Sequence, residues 1–149
     1  LMVLIGFANL FGWILITEQL PQLVSAEILD FSNNKYVVLL LINILLIFVG
    51  TFMETIAALL ILFPILLKVA MAVDVDPIHF AVIALLNLMI GLTTPPLGVC
   101  LFVSSSIGKV SIGKVSKAGL PFLITSLVVL TIVTLVPEIS LYLPKLFMD

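Results

Sequence analysis

Two short polar stretches interrupt the apolar runs of this sequence, and both combine glycines with hydroxyl side chains. The first is residues 50–55 (GTFMET) and the second is residues 91–96 (GLTTPP). Backbone carbonyl, hydroxyl and carboxylate oxygens are the groups that coordinate cations where membrane helices unwind. We therefore identify as candidate ligands Gly50, Thr51, Glu54, Thr55, Gly91, Thr93, Thr94 and Pro95.

The second stretch lies within an apolar segment that is long enough to cross a bilayer, which takes roughly 20 residues. A proline removes a backbone donor and clashes with the carbonyl four residues earlier. The residue before a proline is also pushed out of the helical region. The sequence therefore predicts a membrane helix over 78–106 that is broken near the bilayer midplane. Exposed backbone at that depth needs burial in protein or a polar cavity, and such breaks are typical of transporter binding regions.

The first stretch divides an apolar segment, residues 36–70, that is too long for one straight span. About 33 residues would form a helix of roughly 50 Å, against a hydrocarbon core of roughly 30 Å. One straight helix would also leave Glu54 near the bilayer centre, where an unpaired carboxylate is costly. Two limbs of about 15 residues, each roughly 22 Å long, remove both problems. The sequence therefore predicts a re-entrant helical hairpin over 36–70 with its tip at residues 50–55.

A hairpin tip of this kind has two electrically different ends. The first limb ends in free carbonyls and the second begins with free N–H groups. The tip therefore offers a cation site and an anion site side by side, and either can include the hydroxyls of Thr51 and Thr55. Glu54 has two interpretations: it satisfies the first-turn N–H groups of its own helix, or it acts as a ligand or proton carrier.

The composition is that of an integral membrane protein. Of the 149 residues, 63% are hydrophobic and 9% are charged, whereas soluble domains carry about 25% charged residues. There is no basic patch for nucleic acid. One cysteine, Cys100, cannot form a disulfide within the chain, and one histidine, His79, argues against a zinc or copper site. No Ser/His pair or paired Asp motif supports an enzyme.

The remaining segments complete the expected all-α membrane fold. We expect a membrane helix over 1–17, an amphipathic interfacial helix over 18–35, a last membrane helix over 120–137 and an interfacial tail over 138–149. Residues 107–119 are expected to form a Lys-rich loop, with a short amphipathic helix as the alternative. Short Lys-rich loops face the cytoplasm, so the lysine loop is assigned to the inside and the acidic loop 71–77 to the outside. Because the sequence starts inside an apolar run, we expect it to be a fragment.

The segment GTFMETIAALLILFPILL, followed by DPIHFAVIALLNLMIGLTTPPLGVCLFV and the Lys-rich loop, resembles a known family. This is the large membrane subunit of tripartite ATP-independent periplasmic (TRAP) transporters. The similarity covers essentially the whole chain and corresponds to the C-terminal part of that subunit. The pairing of a Met-Glu-Thr tip with a later Gly-Leu-Thr-Thr-Pro-Pro break makes the resemblance specific.

The resemblance implies a multi-pass protein of the bacterial or archaeal inner membrane that imports organic acids with sodium. C4-dicarboxylates, keto acids and sialic acids are the expected substrate classes, and Na⁺ is the coupling ion, with no other cofactor. The implied fold is half of an inverted-repeat elevator transporter, in which residues 50–55 form the second hairpin tip and residues 91–96 the second break.

The resemblance also implies partners and leaves one alternative open. The partners are the N-terminal part of the large subunit, a small four-helix membrane subunit, a periplasmic substrate-binding protein and membrane lipid. The alternative function is an ion channel or pore subunit, since channels also use re-entrant elements and unwound backbone at a filter.

Overall fold

The computed structural model describes residues 10, 13–14, 17–19, 34–53, 55–95 and 98–148. Within these ranges, the helices are α1 (Lys35–Phe52), α2 (Thr55–Ala72), α3 (Pro77–Leu92), α4 (Val99–Gly108), α5 (Ile112–Leu135) and α6 (Glu138–Met148). No strand occurs in this part of the chain. Three of the helices, α1, α2 and α5, are long and apolar enough to cross a membrane. The expected all-α membrane fold is confirmed.

Several expectations fall on residues outside these ranges. The membrane helix over 1–17 and the interfacial helix over 18–35 lie almost entirely there, as do Glu54 at the hairpin tip and Pro96 in the break. These expectations stay predictions.

The predicted hairpin corresponds to helices α1 and α2. Asn34 caps the start of α1, where its side-chain oxygen accepts a hydrogen bond from the Tyr36 amide at 3.0 Å. Helix α1 ends when Met53 turns to an extended conformation, and α2 begins at Thr55. Each limb has 18 residues, which corresponds to roughly 27 Å of helix. The limbs are longer than the sequence analysis assumed, so their length alone allows them to cross the bilayer.

Helix α3 begins with a strong local signal. Asp76 accepts hydrogen bonds from the amides of Ile78 at 2.8 Å and His79 at 3.2 Å, which is the role of an N-cap carboxylate. Pro77 takes the first helical position, where its missing N–H costs nothing. The start of α3 is therefore set by neighbouring residues in the sequence.

Helices α1 and α3 pack side by side and run in the same direction. Lys35 Nζ donates to the Asp74 carbonyl at 3.2 Å, which places the start of α1 beside the loop that leads into α3. Side chains of both helices form the buried core between them, which contains Val38, Leu39, Ile42, Leu46, Phe80, Ile83, Ala84 and Leu88. Helix α2 runs back along the same core, where Phe63 stacks on Phe80 with ring centroids 5.6 Å apart.

Helix α3 ends at Leu92, and α4 begins at Val99. Gly98 leads into α4 with a φ of 38°, in the left-handed region. A Cβ at this position would lie 2.8 Å from the Thr94 carbonyl oxygen. Glycine is therefore required at residue 98 for conformational and steric reasons together.

Helix α5 begins earlier than the sequence analysis predicts. It starts at Ile112, inside the segment 107–119 that was expected to be a loop, and continues through Pro121. Lysine is a good helix former, and Lys114 and Lys117 lie in this first part of α5. The expected tail over 138–149 is helical too, as α6, despite Pro144.

Candidate functional site

The hairpin tip and the break meet at a contact between two glycines. A Cβ on Gly91 would lie 2.6 Å from both the Cα and the carbonyl carbon of Gly50, and 2.9 Å from the Ile47 oxygen. A Cβ on Gly50 would lie 3.0 Å from the Leu88 oxygen and 3.1 Å from the Gly91 Cα. The two backbones touch without room for a side chain, which is the contact that small residues permit between membrane helices. The structure therefore brings together two of the predicted site residues, one from each stretch.

Three predicted threonines donate their hydroxyl hydrogens to backbone carbonyls three or four residues earlier in the chain. Thr51, which is 4% exposed, donates from Oγ1 to the Phe48 carbonyl at 2.7 Å. Thr93 and Thr94 both donate to the Ile90 carbonyl, at 2.9 Å and 2.7 Å. A hydroxyl has one hydrogen but two lone pairs. Each of these oxygens therefore keeps lone pairs that can bind a cation.

The other predicted site residues are placed less completely. Thr55 begins α2, and its Oγ1 is buried with no hydrogen-bond partner in the described part of the chain. Pro95 is exposed at the break, and Glu54 lies outside the described residues. The tip thus adds an uncommitted hydroxyl close to Glu54 in the sequence.

The contact between tip and break lies beside α5. Thr93 lines a cavity of about 280 Å³ whose wall includes Gly119 and Leu123. Both residues belong to the first half of α5, which has 24 residues and is long enough to cross a membrane, and Leu123 lies close to its centre. Gly91 is only two positions before Thr93, so the contact between the glycines lies at a similar level. If α5 spans the bilayer, the tip and the break both lie within it.

A set of buried polar side chains lies closer to the N-terminal ends of α1 and α3 than this contact does. The sequence analysis did not assign these side chains to the site. Asn87 Nδ2 donates to Asn43 Oδ1 at 2.9 Å, and Asn43 Nδ2 donates to Thr134 Oγ1 at 3.1 Å. These bonds join α1, α3 and α5. An asparagine within an apolar run was the available signal, but its partners are 44 and 91 residues away in the sequence.

Comparison with known proteins identifies the family. The family model described as "Tripartite ATP-independent periplasmic transporter, DctM component" matches residues 1–139. The chain belongs to this TRAP transporter family. The TRAP relatives include the sialic acid large permease SiaM of Vibrio cholerae, which is 48% identical over 94% of this chain and 33% of that protein.

Other TRAP relatives act on different compounds. The isethionate permease DctMQ of Oleidesulfovibrio alaskensis is 44% identical over 94% of the chain and 22% of its own length. The C4-dicarboxylate large permease DctM of Pseudomonas aeruginosa is 43% identical over 97% of the chain and 34% of its own length. The chain spans about a third of the length of the large permeases. Its family is one of membrane transporter permeases, which are not enzymes by kind.

Proposed function

We propose that this chain is the C-terminal part of a sodium-coupled secondary transporter that imports an organic acid. Na⁺ and the acid bind where the tip, residues 50–55, meets the break, residues 91–96. The observation that carries the proposal is the contact between Gly50 and Gly91 beside α5, a helix long enough to cross a membrane. Secondary transporters bind substrate and coupling ion near the bilayer midplane, at discontinuous helices.

The threonine geometry supports the sodium site. Thr51, Thr93 and Thr94 each donate to a nearby backbone carbonyl, so their oxygens can bind a ligand only as acceptors. Acceptor oxygens suit a hard cation. Thr55 adds a buried hydroxyl without a described partner, and Glu54 would supply negative charge at the tip.

The substrate is an organic anion in this proposal. The relatives named above are permeases for sialic acid, isethionate and C4-dicarboxylates, which are all acids, and keto acids belong to the same chemical class. The N-terminus of α2 at the hairpin tip carries the positive end of its helix dipole. Together with a bound Na⁺, it would attract the carboxylate or sulfonate of the substrate. This chain contains no arginine that could bind that group.

The proposed topology is a hairpin that enters and leaves on one face of the membrane. Lys35 contacts Asp74, so the open end of the hairpin lies beside the acidic loop 71–77. Lys114 and Lys117 lie near the start of α5, which begins at Ile112. This start is at the other end of the helices from the acidic loop. Lysines of short loops face the cytoplasm. The acidic loop is then on the outer face and the tip is inside the bilayer.

The working transporter in this proposal is larger than this chain. It includes the N-terminal part of the large permease with the other inverted repeat, a small membrane subunit and a periplasmic binding protein that delivers the acid. It resides in the inner membrane of a bacterium or archaeon and carries substrate by an elevator motion of the hairpin with the broken helix.

The test uses the complete permease with its small subunit and binding protein in proteoliposomes. Radiolabelled N-acetylneuraminate, succinate and isethionate are supplied with an inward Na⁺ gradient, or with choline in place of sodium. We expect one of these acids to accumulate saturably, and only when sodium and the binding protein are present. Accumulation that persists in choline argues against sodium coupling, and flux that does not saturate indicates a channel.

A further inference from the structure

The buried amides of α1 and α3 form a relay of hydrogen bonds with a defined direction. Asn87 Nδ2 donates both to the Ile83 carbonyl at 2.7 Å and to Asn43 Oδ1 at 2.9 Å. Asn43 Nδ2 then donates to Thr134 Oγ1 at 3.1 Å, and Thr134 donates to the Leu130 carbonyl at 2.7 Å. All three relay side chains are at most 8% exposed.

Backbone carbonyls at the two ends fix this direction. The Ile83 and Leu130 carbonyls can only accept, so Asn87 must present its NH₂ group and Thr134 must present its hydroxyl hydrogen. Asn43 then accepts from one neighbour and donates to the other. Asn87 Oδ1 has no partner among the described residues, so Asn87 acts in the relay as a donor alone. The relay has one arrangement of hydrogen bonds and cannot be reversed.

The relay lies next to the contact between tip and break, closer to the N-terminal ends of α1 and α3. Asn43 is about two helical turns before Gly50 on α1, and Asn87 is about one turn before Gly91 on α3. The surrounding core is aliphatic, and apolar contacts in lipid have no preferred direction and gain little from exclusion of water. Directional hydrogen bonds between these helices, together with the close contact of Gly50 and Gly91, therefore distinguish one axial alignment of α1 and α3 from another.

We propose that the relay sets the register of α1 on α3, and that Asn87 and Asn43 are positioning residues for the tip–break site. A change of register would slide Gly50 past Gly91 and move the threonine oxygens of the two stretches apart. This inference rests on the proposed sodium site, because its consequence for function is the affinity for Na⁺.

The directional relay predicts that two chemically equal substitutions differ in effect. A carboxyl buried at this depth is neutral, because an unpaired charge there costs far more than protonation, and it offers one donor and one acceptor. Asn43→Asp can therefore replace both hydrogen bonds of Asn43. Asn87→Asp cannot, because Asn87 must donate to two acceptors. We expect Asn87→Asp to weaken sodium binding more than Asn43→Asp does.

A second variant separates positioning from stability. Replacing both amides by leucine (Asn43→Leu with Asn87→Leu) removes donor and acceptor together and keeps the same branched side-chain shape, which is often nearly neutral for stability. We expect this variant to unfold at close to the wild-type temperature without sodium. Its half-saturating sodium concentration should nevertheless rise by about tenfold. Thr131→Val, which removes an exposed hydroxyl of α5, serves as the control and should not alter it.

The measurement is thermal unfolding of the purified complete permease, titrated with NaCl at constant ionic strength with choline chloride. An ion that binds only the folded protein stabilises it by RT ln(1 + [Na⁺]/Kd), so the rise of the unfolding temperature with sodium concentration reports the sodium affinity and no organic substrate is required. A double leucine variant with wild-type sodium dependence overturns the inference, and so do equal effects of the two aspartate substitutions. If Asn87→Asp does not fold, the double leucine variant still decides. Absence of sodium stabilisation in the wild-type protein would instead contradict the proposed sodium site itself.

Discussion

Substitution of Gly91 by alanine tests the contact on which the proposed site depends. The new Cβ would lie 2.6 Å from two backbone atoms of Gly50 and 2.9 Å from the Ile47 oxygen. Optimal carbon–carbon contacts lie at about 3.5–4.0 Å, so α1 and α3 would have to separate by roughly 1 Å. Backbone atoms of two helices cannot rotate away as a side chain can. The helices must therefore move apart, and the tip must leave the break.

The expected magnitude follows from that displacement. Overpacking a filled interior costs about 1–3 kcal/mol, and Gly91→Ala belongs at the upper end because its nearest neighbours are backbone. Gly50→Ala belongs at the lower end, since its nearest contact is 3.0 Å. If half of a penalty of about 3 kcal/mol falls on the sodium-bound form, the half-saturating sodium concentration rises by about tenfold.

The assay compares these variants with a matched control in the complete permease. Gly113→Ala is the same change in helix α5, at a position with nothing within 4 Å, and should stabilise the protein by up to about 1 kcal/mol through helix propensity. Unfolding temperature and sodium-dependent uptake in proteoliposomes are measured for all three. We expect the loss of stability and of sodium affinity to be largest in Gly91→Ala and smaller in Gly50→Ala. Gly113→Ala should show no loss of either. Wild-type stability and sodium dependence in Gly91→Ala would refute the close contact.

Three further predictions follow from the break and the topology. Thr94→Val should leave the unfolding temperature unchanged, because Thr93 still donates to the shared carbonyl, but should raise the half-saturating sodium concentration by about tenfold if the oxygen binds Na⁺; an unchanged value in the uptake assay removes Thr94 from the site. Gly98→Ala should lower the stability measured by thermal unfolding by about 1–2 kcal/mol through its left-handed conformation alone, and a wild-type melting curve would contradict that geometry. In a cysteine-free background, cysteines at Ala72 and Lys114 should react with impermeant reagents from opposite faces of the membrane; labelling from the same face would be incompatible with the proposed topology.

Part of the architecture is local and can be read from neighbouring residues. Asp76 and Pro77 signal the start of α3, because a carboxylate N-cap and a first-turn proline act within one helical turn. The interruption after Leu92 has the same local cause, since the restrictions imposed by Pro95 act on adjacent residues. The all-α membrane class follows from composition. The chain contains few charged residues, and long apolar segments can cross lipid as helices.

Other local signals did not decide the structure. The last membrane helix was expected over 120–137, but α5 begins at Ile112 and continues through Pro121. A proline inside a membrane helix removes one hydrogen bond, and neighbouring helices or side chains can satisfy the freed group. The expectation of a loop over 107–119 relied on neighbouring residues alone. Residues 112–119 instead belong to a helix of 24 residues.

The sequence by itself determined which residues carry the polar groups: two glycine–threonine stretches within apolar helices, and the absence of arginine. Only the tertiary structure decided that Gly50 meets Gly91, that Thr93 lies beside the first half of α5, and that Asn87 donates to Asn43. The physical reason is that chain geometry restricts neighbours within about one turn. Residues tens of positions apart meet only where the packing of whole helices brings them together. The apolar residues that drive this packing do not specify which partner they will contact.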